Sequence, residues 1–248
     1  MVIGIGEYEN ADIPAAPQAI GNAAHVVRFL KDDLGLDDLR IITGRNATHS
    51  ELEEIFGKAG GTNGELRDLV RKENPSEVIV YVSGRALAVS GGKDVLLLPA
   101  DADPAKPETA VSLAQLYNRL AAMGVPNLRL YLDPAFVKGD DVVKVQTGPM
   151  IGPAGLLTPR HWVALSAASD SAAVPDDKDK PRSRFTEWLI AGLRGVADTT
   201  GEGNGDGTIS AEELYLFIKD QAAAATKRGQ QAPVPSLHGA PKELLRSY

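Results

Sequence analysis

Glu202, Asn204, Asp206, Thr208 and Glu213 fall at positions 1, 3, 5, 7 and 12 of a twelve-residue stretch that also carries Gly207 at position 6 and Ile209 at position 8. Oxygen-bearing side chains at that spacing, a glycine for the sharp turn and a closing glutamate form the pattern that wraps a calcium ion. Glutamate at position 1 works against it, because the longer side chain crowds a tight loop, and Asp198 serves as a substitute only if the loop is wider than usual. A second reading makes the stretch a glycine-rich connector in which Asp206 and Ser210 cap the next helix. Calcium is the one cofactor these residues suggest, and both readings stand.

Other chemistry is sparse. The 248 residues include no cysteine, which removes thiolate nucleophiles, disulfides and cysteine-bound metals together. His25, His49, His161 and His238 are never three or four residues apart, so no helix presents a pair of imidazoles to a metal. Ser83 is followed by Gly84 and Arg85 with no base beside it, and no Gly-x-Ser-x-Gly elbow or phosphate-cradling loop occurs. Gly91-Gly92-Lys93-Asp94 reads as a hairpin turn, and Asp176, Asp177 and Asp179 alternate with Lys178 and Lys180 as a solvated loop.

These residues must be positioned by alternating strands and helices. Val2 to Gly6 is a short apolar run, and Ile20, Ala24, Val27, Leu30 and Leu34 then recur at helical spacing. Leu39 to Thr43 reads as a strand, and Thr48-His49-Ser50-Glu51 has the form of a capping box. Further strands are expected at 78–82, 94–98, 128–132 and 162–166, with helices at 63–74, 112–123, 183–197 and 211–226. Such alternation predicts a mostly parallel sheet of about six strands with helices on both faces, and functional residues at the carboxyl ends of its strands. The length and a hydrophobic content of 43% suit one domain over 1–240, with 202–213 inserted before the last helix and 241–248 as a tail.

The net charge of −7 and scattered basic residues exclude a general field for nucleic acid or anionic membrane. No run approaches the roughly 20 apolar residues of a spanning helix, and no signal peptide precedes the first strand. A soluble chain is expected, with cytoplasm and periplasm both open.

Seven segments in order carry a resemblance over nearly the whole length: Val2 to Tyr8, Ala16 to Ala24, Val80-Tyr81-Val82-Ser83-Gly84, Leu96 to Asp101, Leu130-Tyr131-Leu132-Asp133, Ser166 to Asp170, and Phe185 to Gly195. They resemble the caspase-like cysteine peptidases of the bacterial caspase and metacaspase type. The resemblance implies a three-layer α/β sandwich and a His–Cys dyad at the ends of two neighbouring strands. At the first position the family has Ser-Gly-His-Gly and this chain has Ser83-Gly84-Arg85-Ala86; at the second the family has Asp-Ala-Cys and this chain has Asp133-Pro134-Ala135. A third departure is Asn22-Ala23 where metacaspase-type members carry Asn-Asp. Since Met1 stands almost at the first strand, where the family has a few more residues, the chain reads as a cut from a longer protein.

A guanidinium stays protonated and has no acceptor lone pair, so Arg85 cannot act as a general base, and the Ala135 methyl cannot attack. A single Cys-to-Ala change has an obvious laboratory use, but Arg85, Ala86 and Ala23 have none, which favours natural loss. The expectation is a pseudopeptidase acting as a binding, scaffold or regulatory module for a protein or peptide, with Asn22, Ala23, Ser83, Gly84, Asp133, Ser166 and Asp170 as a vestigial pocket. The alternatives are a caspase-type endopeptidase in an inactivated form and a calcium-responsive interaction module.

Overall fold

The computed structural model describes residues 1–58, 63–88, 95–137, 161–167, 182–230, 232 and 235–248. The first apolar run forms β1 (Val2–Gly4) and the amphipathic stretch after it forms α1 (Pro17–Asp32). Pro17 opens α1 at a position where a backbone N–H would have no partner anyway. Next come β2 (Thr43–Arg45), α2 (His49–Phe56), α3 (Glu65–Glu73), β3 (Glu77–Ala88), β4 (Val95–Leu97), β5 (Val111–Ser112), α4 (Leu113–Ala121), β6 (Asn127–Phe136) and β7 (His161–Ser166). The remainder supplies α5 (Arg184–Ala191), a π-helical turn at Gly192–Val196, α6 (Ala197–Thr199), β8 (Thr208–Ser210), α7 (Ala211–Lys227), β9 (Ser236–Gly239) and β10 (Leu244–Ser247).

The strands β2, β1, β3, β6 and β7 lie side by side in that order and all in parallel. β9 adds an antiparallel edge beside β7, while β4 and β5 branch antiparallel from the far end of β3. Among the described residues the main sheet therefore has eight strands, and β8 pairs with β10 separately.

Strand pleating sorts the core into two layers. Val80, Val82, Leu128, Leu130 and Leu132 pack with Leu52 and Phe56 of α2, Leu66 of α3 and Leu116 and Leu120 of α4. Tyr81, Tyr131 and Leu165 pack on the opposite face with Phe29 of α1, Phe185 and Leu189 of α5 and Leu214 and Ile218 of α7. The result is the expected sandwich, with α1, α5 and α7 forming one outer layer.

Four expectations need correction. The strands read at 78–82 and 128–132 do not stop there: pairing continues from Ser83↔Asp133 to Ala86↔Phe136. The second strand begins at Thr43 rather than Leu39, because residues 38–40 form a 3-10 turn closed by hydrogen bonds from Arg40 N–H to the Asp37 carbonyl and from Ile41 N–H to the Asp38 carbonyl. The segment 241–248 is no free tail, since Leu244–Ser247 pairs with β8.

The helix read over 183–197 is also broken. At Gly195 φ is 107°, and a Cβ there would lie 2.8 Å from the Tyr248 ring, so only glycine admits both that backbone and that neighbour.

Candidate functional site

Arg85 and Ala135 sit directly opposite one another on β3 and β6, one strand spacing or about 4.8 Å apart. Being in register, they point to the same side of the sheet as Tyr81, Ser83, Tyr131 and Asp133, which is the side covered by α1 and α5.

The backbone reaches this point by two devices. β1 ends at Gly4, and its last contact with β3 is the Ile5 N–H to the Ser83 carbonyl at 2.9 Å. The next N–H on that edge, from Arg85, would be orphaned; the Tyr8 hydroxyl accepts it at 2.6 Å and itself donates to the Ile5 carbonyl at 3.1 Å. Gly84 makes room, because a Cβ there would lie 3.1 Å from that hydroxyl. On β6 the Val137 N–H bonds to the Ala86 carbonyl at 2.9 Å, and alternation turns the Pro134 nitrogen to the other edge. There β7 has already ended at Ser166, so the missing proline N–H breaks no ladder bond.

The Arg85 side chain is buried at 7% exposure. Its Nε donates to the Pro14 carbonyl at 2.9 Å and its Nη2 donates to the Ala15 carbonyl. It thus anchors the turn before α1 to β3. Ala135 beside it is half-buried.

One turn into α1, Asn22 begins a polar network. Its Nδ2 donates to Ser83 Oγ and to Asp133 Oδ2, both at 3.1 Å, and its Oδ1 accepts the Ser183 N–H at 2.8 Å. Asp133 Oδ2 also accepts from Thr186 Oγ1 at 2.7 Å and from the Ser183 hydroxyl. The Tyr81 hydroxyl lies 2.6 Å from Thr186 Oγ1 and 3.4 Å from Asp133 Oδ2. Burial first, and then the Asp133 charge, push the Tyr81 hydroxyl far above the ordinary tyrosine range, so it stays neutral. Ser183 caps α5 with its hydroxyl on the Thr186 N–H at 3.1 Å, and the same network therefore fixes where α5 starts.

Of the expected pocket, the structure brings together Asn22, Ser83 and Asp133, while Gly84 faces the other side of the sheet against Ile5 and Tyr8. Ala23 packs at the α1–β1 contact, where a Cβ on Gly4 would lie 2.7 Å from its methyl. Ser166 is buried but pairs with Leu132, whose side chain belongs to the other layer, so the pleat turns it away from Asp133. Asp170 and the acidic stretch at 176–179 lie outside the described residues. Nothing in the type or spacing of Tyr8, Tyr81 and Thr186 marks them as site residues, and Ser183 is signalled by its capping position alone.

The loop at 202–213 is organised by Asp198. Its Oδ1 accepts the N–H groups of Gly205 at 2.7 Å and Asp206 at 3.1 Å, and its Oδ2 accepts the Gly207 N–H at 3.0 Å and the Tyr248 hydroxyl at 2.8 Å. Burial raises the Asp198 pKa, but hydrogen bonds from Tyr248, Gly207, Gly205 and Asp206 outweigh it and hold the carboxyl below its ordinary range. Asp206 Oδ1 accepts from the Thr208 N–H at 2.8 Å and hydroxyl at 2.6 Å, so it does not cap α7. Glu213 Oε2 accepts from Ser210 N–H and Oγ, both at 2.8 Å, in a capping box, while its Oε1 accepts the Asn204 N–H at 3.3 Å. Glu202 is exposed. The carboxylates of Asp198, Asp206 and Glu213 thus serve loop and helix donors; among the described residues no three His, Cys, Asp or Glu side chains converge on a point able to hold a metal.

No family model matches the sequence and no curated protein does. Solved structures do. Caspase-1 from Spodoptera frugiperda superposes with a TM-score of 0.60 and 11% identity, covering 98% of this chain and 86% of that one. The structure titled pro-sf-caspase-1 gives 0.59 and 13%, with the same coverages of 98% and 86%. At such identity the likeness speaks for the fold alone: this chain has a caspase-like fold.

Proposed function

We propose that this chain is a caspase-like domain without peptidase chemistry, working as a binding, scaffold or regulatory module for a protein or peptide. The observation that carries this reading is Arg85. It faces Ala135 across β3 and β6, and its guanidinium is committed to the Pro14 and Ala15 carbonyls. Peptide hydrolysis through a covalent intermediate needs a nucleophile and a base within hydrogen-bond reach acting as a unit, and this pair supplies a methyl and a permanent cation.

The test is a peptidase assay on the purified protein, using peptides with Arg, Lys or Asp before the scissile bond, with and without calcium. No turnover is expected. Turnover that follows the protein through purification and disappears when Ser83 or Asp133 is replaced would overturn the proposal.

A further inference from the structure

Among the described residues the exposed large apolar side chains are Val196, Leu244 and Tyr248. All three lie on the segment 244–248 or on the π-helical turn whose Gly195 meets the Tyr248 ring. Exposed apolar groups gathered at one place mark a contact surface.

The segment is held by a series of separate anchors. The carbonyls of Pro241 and Glu243 accept the N–H groups of Glu212 at 2.8 Å and Ala211 at 2.9 Å, the first two donors of α7, which no carbonyl within the helix can reach. Glu243 also pairs with Arg129 and His161. Antiparallel pairing with β8 follows, from Leu244↔Ser210 to Ser247↔Thr208. The Arg246 guanidinium donates to the carbonyls of Leu193 and Asp33, both at 3.0 Å, and lies 5.3 Å from the centre of the Phe29 ring. Two residues on, the Tyr248 hydroxyl donates to Asp198 at 2.8 Å. Backbone pairing along an edge, with seats for alternate side chains, is how a strand recognises an extended peptide.

Between the anchors the fit is incomplete. A cavity of about 50 Å³ remains beside Leu245 and Arg246, walled by residues that include Phe29, Tyr131 and Leu193. Leu244 and Tyr248 stay 50% and 53% exposed. A segment with discrete polar anchors and little apolar burial opens at lower cost than the core around it.

We propose that β8, the start of α7 and the turn at 192–196 form a docking groove for an extended peptide of the pattern leucine, arginine, any residue, tyrosine. Residues 241–248 fill the groove in cis, and a segment of a partner protein with that pattern displaces them. The groove rests on the reading of this chain as a binding module and gives that module a partner. Turnover in the peptidase assay would remove the module's premise, whereas failure of the peptide to bind would remove the groove alone.

The test titrates the full chain and its Arg246→Ala variant with a fluorescent peptide of residues 241–248, capped at both ends. In the parent the cis segment competes at high effective concentration, so binding should be weak. Losing the Arg246 anchors leaves the groove open more often, and the variant should bind the peptide about tenfold tighter or more. The same peptide with its arginine replaced by alanine should bind neither protein. Hydrogen exchange on the parent supplies a measurement without a variant: the Ala211 and Glu212 N–H groups should exchange by a local opening insensitive to low urea, while those of Tyr81 and Leu130 wait for unfolding. Four results would overturn the groove: no binding to the variant, affinity unchanged by Arg246→Ala, equal binding of the alanine peptide, or the same urea dependence at Ala211 and Glu212 as at Tyr81 and Leu130.

Discussion

Arg85 shows how a change at one residue alters what its neighbours can do. A neutral base at this place would have an acceptor nitrogen to offer; the guanidinium offers only donors, and Pro14 and Ala15 have taken two of them. Introducing a thiol alone by Ala135→Cys is therefore expected to give no turnover. The cation one strand away should lower the thiol pKa and make it reactive to alkylating reagents, yet proton delivery to the leaving amine still lacks a competent acid. The double change Ala135→Cys with Arg85→His is the smallest one that supplies both a nucleophile and a base, with Ala86→Gly added if the backbone must open. Full hydrolysis by the single variant in a peptidase assay would remove Arg85 from the role given to it here.

At the scale of an element, the loop at 202–213 is held by carboxylates acting on backbone donors. The sign of its pH response follows from Asp198. Its carboxyl is held below the ordinary aspartate range by Tyr248 and the loop N–H groups. Its contribution to stability is therefore complete above about pH 4, the unfolded value, and is lost as pH falls through the lower folded value. Urea denaturation across pH 2–5 should show a shallower acid slope for Asp198→Asn than for the parent; identical slopes would contradict this account. Calcium is expected to matter little. With dissociation constants on the order of 0.1–1 mM, typical of weak modules, 1 mM calcium adds ~0.4–1.4 kcal/mol, so melts with calcium and with chelator should differ by no more than a few degrees. A much larger shift, abolished by Asp206→Ala, would turn the loop into a calcium switch.

At the scale of the molecule, the last residues tie the sheet to the helical layer of α1, α5 and α7. Glu243 pairs with the buried Arg129 at 3.1 Å and with His161 at 3.0 Å. Arg246 donates to the carbonyls of Leu193 and Asp33, both at 3.0 Å, and lies over the Phe29 ring at 5.3 Å. Tyr248 closes on Asp198. Removal of 241–248 would take from the buried Arg129 its Glu243 carboxylate and Leu244 carbonyl and leave it Glu77 at 3.1 Å, and a buried donor stripped of its acceptors costs about 1–3 kcal/mol. Thermal or urea unfolding of the truncated chain should show a loss of at least that size, whereas an unchanged midpoint would return the segment to the status of a tail.

Much was legible locally. The resemblance puts Arg85 and Ala135 at the ends of two neighbouring strands, while the shared face of Tyr81, Ser83 and Arg85 with Tyr131, Asp133 and Ala135 rests on pairing that runs past the strand ends read at 82 and 132. Thr48 with Glu51 and Ser183 announced helix starts, because a cap is satisfied within four residues. Glycine at 195 and the spacing at 202–213 were visible too, but not their meaning. That depended on Tyr248 and Asp198, and a contact across 50 residues leaves no periodic trace in the chain. The same holds for Asp133, whose donors arrive from α1 and α5, and for Arg85, whose acceptors lie 70 and 71 residues away. Residue type and spacing determined which chemistry this chain cannot do; only tertiary packing decided what its remaining polar groups hold together, since a hydrogen bond between distant segments exists only once the sheet and its helices are assembled.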